Sequence, residues 1–145
     1  MRMSPYLKEE LVNELKSVSK RMKEEKDPSR KLFYYSAAYG MTNRVMRFEF
    51  DEELLLVDAL LTITYNAVNT RLQIFLSGDR TVPVTPEILD GLAECVENLA
   101  SAIEKDKQCY EILQRIMTLS FLTTGPGYYM AVKGQIRMPK KKSHT

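Results

Sequence analysis

Three groups of residues have the types and spacing to do chemistry. Asp58, Thr62 and Asn66 recur at i, i+4 and i+8, which places them on one face if the segment is helical. A buried carboxylate in such a row would have a raised pKa and a use as a general acid or base. The plainer alternative, which is favoured, is a solvated helix edge or a polar network that fixes helix register. The row continues through Asn69 and Gln73. The second group is Thr123-Thr124-Gly125-Pro126-Gly127-Tyr128-Tyr129. Gly125 and Gly127 around a proline give an irregular backbone whose amides can hold an anion, and Tyr128 and Tyr129 can stack on a ligand. The same pattern suits a tight helix-ending loop. Arg80, in Ser77-Gly78-Asp79-Arg80, would supply positive charge if the two loops share one end of the fold. The third group is basic: Arg44 and Arg47, with Arg137, Lys140, Lys141 and Lys142 near the end of the chain. These can contact phosphates or serve as a solubilising tail. A pI near 8.5 falls short of a dedicated nucleic-acid binder.

Much else is excluded. The sole histidine is His144, which removes catalytic triads and metal sites that need one in the folded part. No GxxxxGK[ST] or GxGxxG is present, so no standard nucleotide cradle is expected. Cys95 and Cys109 are the only cysteines. They fall at unequal distances on either side of an expected turn near Lys105-Asp106, too far apart in height to bridge. Both read as reduced packing residues. No catalytic residue, metal ligand or cofactor is assigned.

These groups need elements to position them. The expected order is helices, and prolines mark the starts. Ser4-Pro5 opens an amphipathic helix with Leu7, Leu11, Leu15, Val18 and Met22 on one stripe. Asp27-Pro28 opens a second helix, running to Phe48. Asp51 to Leu76 follows without proline or glycine, with acids at its positive N-terminal end. Its apolar residues occupy two faces: Leu54, Val57, Leu61, Tyr65, Val68, Leu72 and Phe75 on one, and Leu56, Leu60, Ile63, Ala67 and Ile74 on the other. That predicts a central, mostly buried helix. Thr85-Pro86 opens a fourth helix. A fifth starts near Asp106 or Lys107 and ends at Thr123, and Tyr128 to Val132 add one turn before Gly134.

Length and composition agree with one globular domain. The chain has 145 residues, 44% hydrophobic and 28% charged. It has no apolar run long enough to cross a bilayer and no signal-peptide core near its start, so a cytoplasmic protein without membrane contact is expected. Charge is segregated. Residues 1–50 hold 11 basic and 7 acidic residues, residues 51–106 hold 3 and 11, and residues 107–145 hold 7 and 1. Such segments can attract one another within a fold or between copies.

The stretches RFEFDEELLLVDALLTITYN, SGDRTVP and TTGPGYYMAVKG resemble a small all-helical family of archaeal proteins with no assigned function. The resemblance spans most of residues 40–134. It implies the all-helical fold and transfers no catalytic or binding residue.

The expectation is therefore an all-α single-domain bundle of about five helices around a central buried helix. The domain spans residues 1–134, followed by a basic disordered tail at 135–145. The favoured function is a non-enzymatic protein that self-associates, most simply as a homodimer. The runner-up is an accessory nucleic-acid binder. The third is a small-molecule binder or enzyme using Asp58, Thr62, Asn66, Arg80, Gly125, Gly127, Tyr128 and Tyr129.

Overall fold

The structure, a computed structural model, describes residues 1–139. Six helices account for 76% of them, and no strand is present among the described residues. The helices are α1 Pro5–Glu24, α2 Pro28–Phe48, α3 Glu52–Leu76, α4 Pro86–Glu104, α5 Tyr110–Leu122 and α6 Gly125–Val132.

The starts follow the sequence signals. Ser4, Asp51, Thr85 and Thr124 each accept a bond from a backbone amide three residues on, which satisfies one otherwise orphaned donor per helix. Two boundaries differ from expectation. α5 starts at Tyr110, not Asp106, because Asp106 takes a left-handed φ of 53° and the Lys107 amide turns back to the Ala102 carbonyl at 2.8 Å. An aspartate tolerates this conformation better than most residues. α6 starts at Gly125 and is a real helix of 8 residues. Pro126 sits in its first turn, where the missing N–H costs nothing.

α1 to α5 form a closed ring. α1 packs on α2 and α4, α2 on α3, and α3 and α4 both pack on α5; α2 also reaches across to α4. α6 packs on α5. The bundle class is as expected, but the most buried rod is α4 and not α3. α4 carries ten buried residues in 19, whereas α3 carries six in 25. On α3 only Leu54, Val57, Leu61, Thr64, Val68 and Leu72 point inward. The packed chain also runs past 134, since Ile136 and Met138 lie partly buried against the core.

The charge segregation is resolved within the fold along α1. Lys8 pairs with Asp106 at 2.7 Å, Lys16 with Glu104 at 2.8 Å, and Lys23 with Glu97. The Lys8 and Lys16 ammonium groups hold the Asp106 and Glu104 carboxyls below their usual range. These pairs are exposed, so each adds little stability. Their order fixes α1 and α4 as antiparallel. Lys31 is different. Its side chain is 9% exposed, and its ammonium donates to the Met22 carbonyl at 2.6 Å and faces Asp90 at 3.4 Å. It ties the end of α1 to α2 and α4.

Two inward polar groups of α2 and α3 are treated unequally. The Tyr35 hydroxyl is buried and donates to the Leu61 carbonyl at 3.0 Å. The Thr64 hydroxyl is also buried, yet has no hydrogen-bond partner. An unpaired buried hydroxyl costs about 1–3 kcal/mol. Thr64→Val keeps the shape and removes the group, so it is expected to stabilise the fold by roughly 1 kcal/mol. A higher urea midpoint with an unchanged slope would be the signature.

Candidate functional site

The residues singled out in the sequence do not converge. Asp58 faces α2, where it accepts the Thr42 hydroxyl at 2.6 Å. The Thr62 hydroxyl turns back to the Asp58 carbonyl at 2.8 Å. Asn66 is exposed, and Gln73 donates to Asn69 at 3.4 Å. The row therefore divides: Asp58 is held against α2, and Asn66 lies at an open hollow beside the 123–124 corner.

The two loops do share one end. The Arg71 side chain donates to the Thr123 carbonyl at 3.0 Å, placing the 123–124 corner beside the last turns of α3. Asn66, Thr70, Arg71 and Thr124 line a shallow open hollow there. Arg80, however, stacks its guanidinium 4.1 Å from the centre of the Phe75 ring. Asp58 lies 13 residues before Arg71, about 20 Å along the axis, so it cannot share a pocket with that corner. The amide of Gly127, offered as an anion donor, already bonds the Thr124 hydroxyl at 3.1 Å. Gly127 is buried against α5, where a Cβ would overlap the Phe121 carbonyl. Gly125 has open space around it. Tyr129 is exposed and meets Lys133, 5.4 Å from its ring centre, and Tyr128 is half-buried.

The basic residues are likewise dispersed. Arg47 donates to Asn43 at 3.2 Å. Arg44 lies at a groove of about 270 Å³ between α1 and α2, lined by Tyr6, Leu7, Met41, Val45 and Phe48. Lys140, Lys141 and Lys142 lie outside the described residues. Cys95 and Cys109 are free and buried, and burial pushes both thiols up to about 12. Among the described residues no cluster of three metal-ligating side chains forms, and no helix is long and apolar enough to cross a membrane.

What the tertiary structure does assemble is an apolar outer face on α3. The second apolar set, expected to be core, points outward. Leu56 is 47% exposed, Ile63 52% and Ile74 36%, with Leu60 and Ala67 half-buried between them. The reason is the ring arrangement. α3 has neighbours on only two sides, α2 and α5, and one inward stripe satisfies both.

α5 runs alongside α3. Glu53 lies beside Cys109 and Arg71 reaches Thr123, so α3 and α5 run parallel. On α5, Leu119 packs beside Gly91 of α4. Met117 and Phe121 of α5 are 40% and 38% exposed.

The face is also poor in charge. Between Glu53 and Asp79 the only ionisable side chains that carry charge at neutral pH are Asp58 and Arg71. Asp58 is turned to Thr42 of α2, and Arg71 borders the face beside Ala67 and Thr70, where its side chain donates to the Thr123 carbonyl. In a chain with 28% charged residues, this depletion is the compositional mark of an interface core. Thr70, exposed on the same face, went unnoticed as a sequence feature. The signal was present: Leu56, Leu60, Ile63, Ala67, Thr70 and Ile74 are spaced 4, 3, 4, 3 and 4, the heptad interval of a helix–helix seam.

Comparison with protein-family models, with curated proteins and with solved structures finds no match to this chain.

Proposed function

We propose that this chain is a self-associating interaction protein that acts through the outer face of α3. The observation that carries this is an uncharged apolar seam running the length of a helix on an otherwise charged molecule. Leu56, Ile63 and Ile74 stand exposed along one line of the helix, and a contiguous exposed apolar stripe marks an interaction site. A seam one helix wide is small beside the interfaces of obligate dimers. The dimer is therefore reversible and concentration-dependent. Three of the four α1 lysines, Lys8, Lys16 and Lys23, are paired with Asp106, Glu104 and Glu97, which reduces the charge α1 offers to phosphates.

The test is mass in solution by light scattering across a wide concentration range. The wild type is expected to move from monomer to dimer within it. Ile63→Glu puts an unpaired charge in the middle of the seam and is expected to weaken association about 100-fold or more, with the helical circular dichroism unchanged. A wild type that stays monomeric up to millimolar concentration ends the proposal.

A further inference from the structure

We infer that the occupant of the α3 face is the same face of a second copy, lying antiparallel about a two-fold axis between Ile63 and Ala67. This rests on the self-association reading and specifies its geometry. The spacing 4, 3, 4, 3, 4 is the same read in either direction. Reversing one helix therefore lays every seam position on another. Leu56 meets the partner's Ile74, Leu60 meets the partner's Thr70, and Ile63 meets the partner's Ala67. In the two inner layers a large side chain faces a small one, which fills space evenly.

A parallel pair does not do this. It sets each residue against its own copy, so Ile63 crowds Ile63 while Ala67 and Thr70 leave gaps. It also brings together the acidic starts of both helices, Asp51, Glu52 and Glu53. Antiparallel packing separates those ends by the helix length, about 37 Å for 25 residues, and opposes the helix dipoles favourably. A two-fold contact is isologous. A surface poor in charge suits it, because any fixed charge near the axis would meet its own image. Asp58 and Arg71, the two charged residues of this stretch, lie 7 and 6 residues from the axis, about 10 Å along the helix, and bond to Thr42 and the Thr123 carbonyl.

Disulfide trapping tests the direction. Ile63→Cys and Ala67→Cys both fall on the outer face, so folding is retained, and the buried native thiols stay out of the exchange. An equimolar mixture under mild oxidation is expected to yield a cross-linked heterodimer, while either variant alone stays largely uncross-linked. Efficient cross-linking of Ile63→Cys with itself means a parallel pair and overturns the inference. No cross-link in the mixture, with light scattering still reporting a dimer, also overturns it and leaves self-association standing. A second measurement is charge exchange. Leu56→Lys and Ile74→Glu each weaken the dimer when introduced alone. Together in one chain they are expected to restore it to within about tenfold of the wild type, since antiparallel packing sets the opposite charges against each other twice. A double variant weaker than both single ones refutes the antiparallel register.

Discussion

Alanine at Leu92 is expected to cost about 3–5 kcal/mol of folding free energy, while alanine at Leu56 costs under about 1 kcal/mol. The two substitutions remove the same atoms. Leu92 is fully buried on α4, the helix that touches α1, α2 and α5. Deleting its side chain leaves a cavity bounded by three elements that cannot all collapse into it. Leu56 is 47% exposed on the outer face of α3, so its loss returns only part of one side chain to water. Urea denaturation of both variants in an Ile63→Glu background keeps association out of the comparison, because anything that binds the native state adds apparent stability. Equal losses would mean that α3 is as much the core as α4. In the background with the native Ile63, Leu56→Ala has its larger effect on dimer dissociation.

Gly127→Ala is expected to undock α6, at a cost of about 2–4 kcal/mol, while Gly125→Ala stays within roughly 0.5 kcal/mol of wild type. The glycines are two residues apart in one motif, yet their surroundings differ. A Cβ on Gly127 would overlap the Phe121 carbonyl, and the backbone on both sides would have to move. That carbonyl accepts the Thr124 amide at 2.9 Å and the Thr124 hydroxyl at 2.6 Å. Displacing it breaks the cap from which α6 starts. A Cβ on Gly125 meets open space. α6 rests on α5 and presents Tyr129, Met130 and Val132 to solvent, so the five-helix ring survives its release. Limited proteolysis should then cut near Tyr128 and Tyr129 in the Gly127 variant and not in the Gly125 variant. Identical protection in both would show that the close approach is not what requires glycine.

The glycine pair also shows how the candidate site divided. Sequence placed Gly125, Pro126 and Gly127 together as an irregular cradle. In the fold they are the first turn of a helix, with the Gly127 amide bonded to Thr124 and the residue pressed on α5. No local pattern distinguishes an amide offered to a ligand from one already capped by its own chain. Asp58 is similar. Its spacing with Thr62 and Asn66 was legible, but its partner, Thr42, is on another helix.

By itself the sequence determined the helical class, the helix starts at Pro5, Pro28 and Pro86, and the two apolar stripes of α3. Those features rest on short-range physics: proline's fixed φ, capping side chains, and the 3.6-residue repeat. Only the tertiary structure decided which stripe is core. Both are apolar, and periodicity measures the amphipathicity of a helix without counting its neighbours. α3 received two neighbours where its composition suggested more. The centre of the core passed to α4, and the stripe Leu56, Leu60, Ile63, Ala67 and Ile74 was left facing water. An apolar row takes its role from what packs against it, and packing between helices distant in sequence is set by the whole chain.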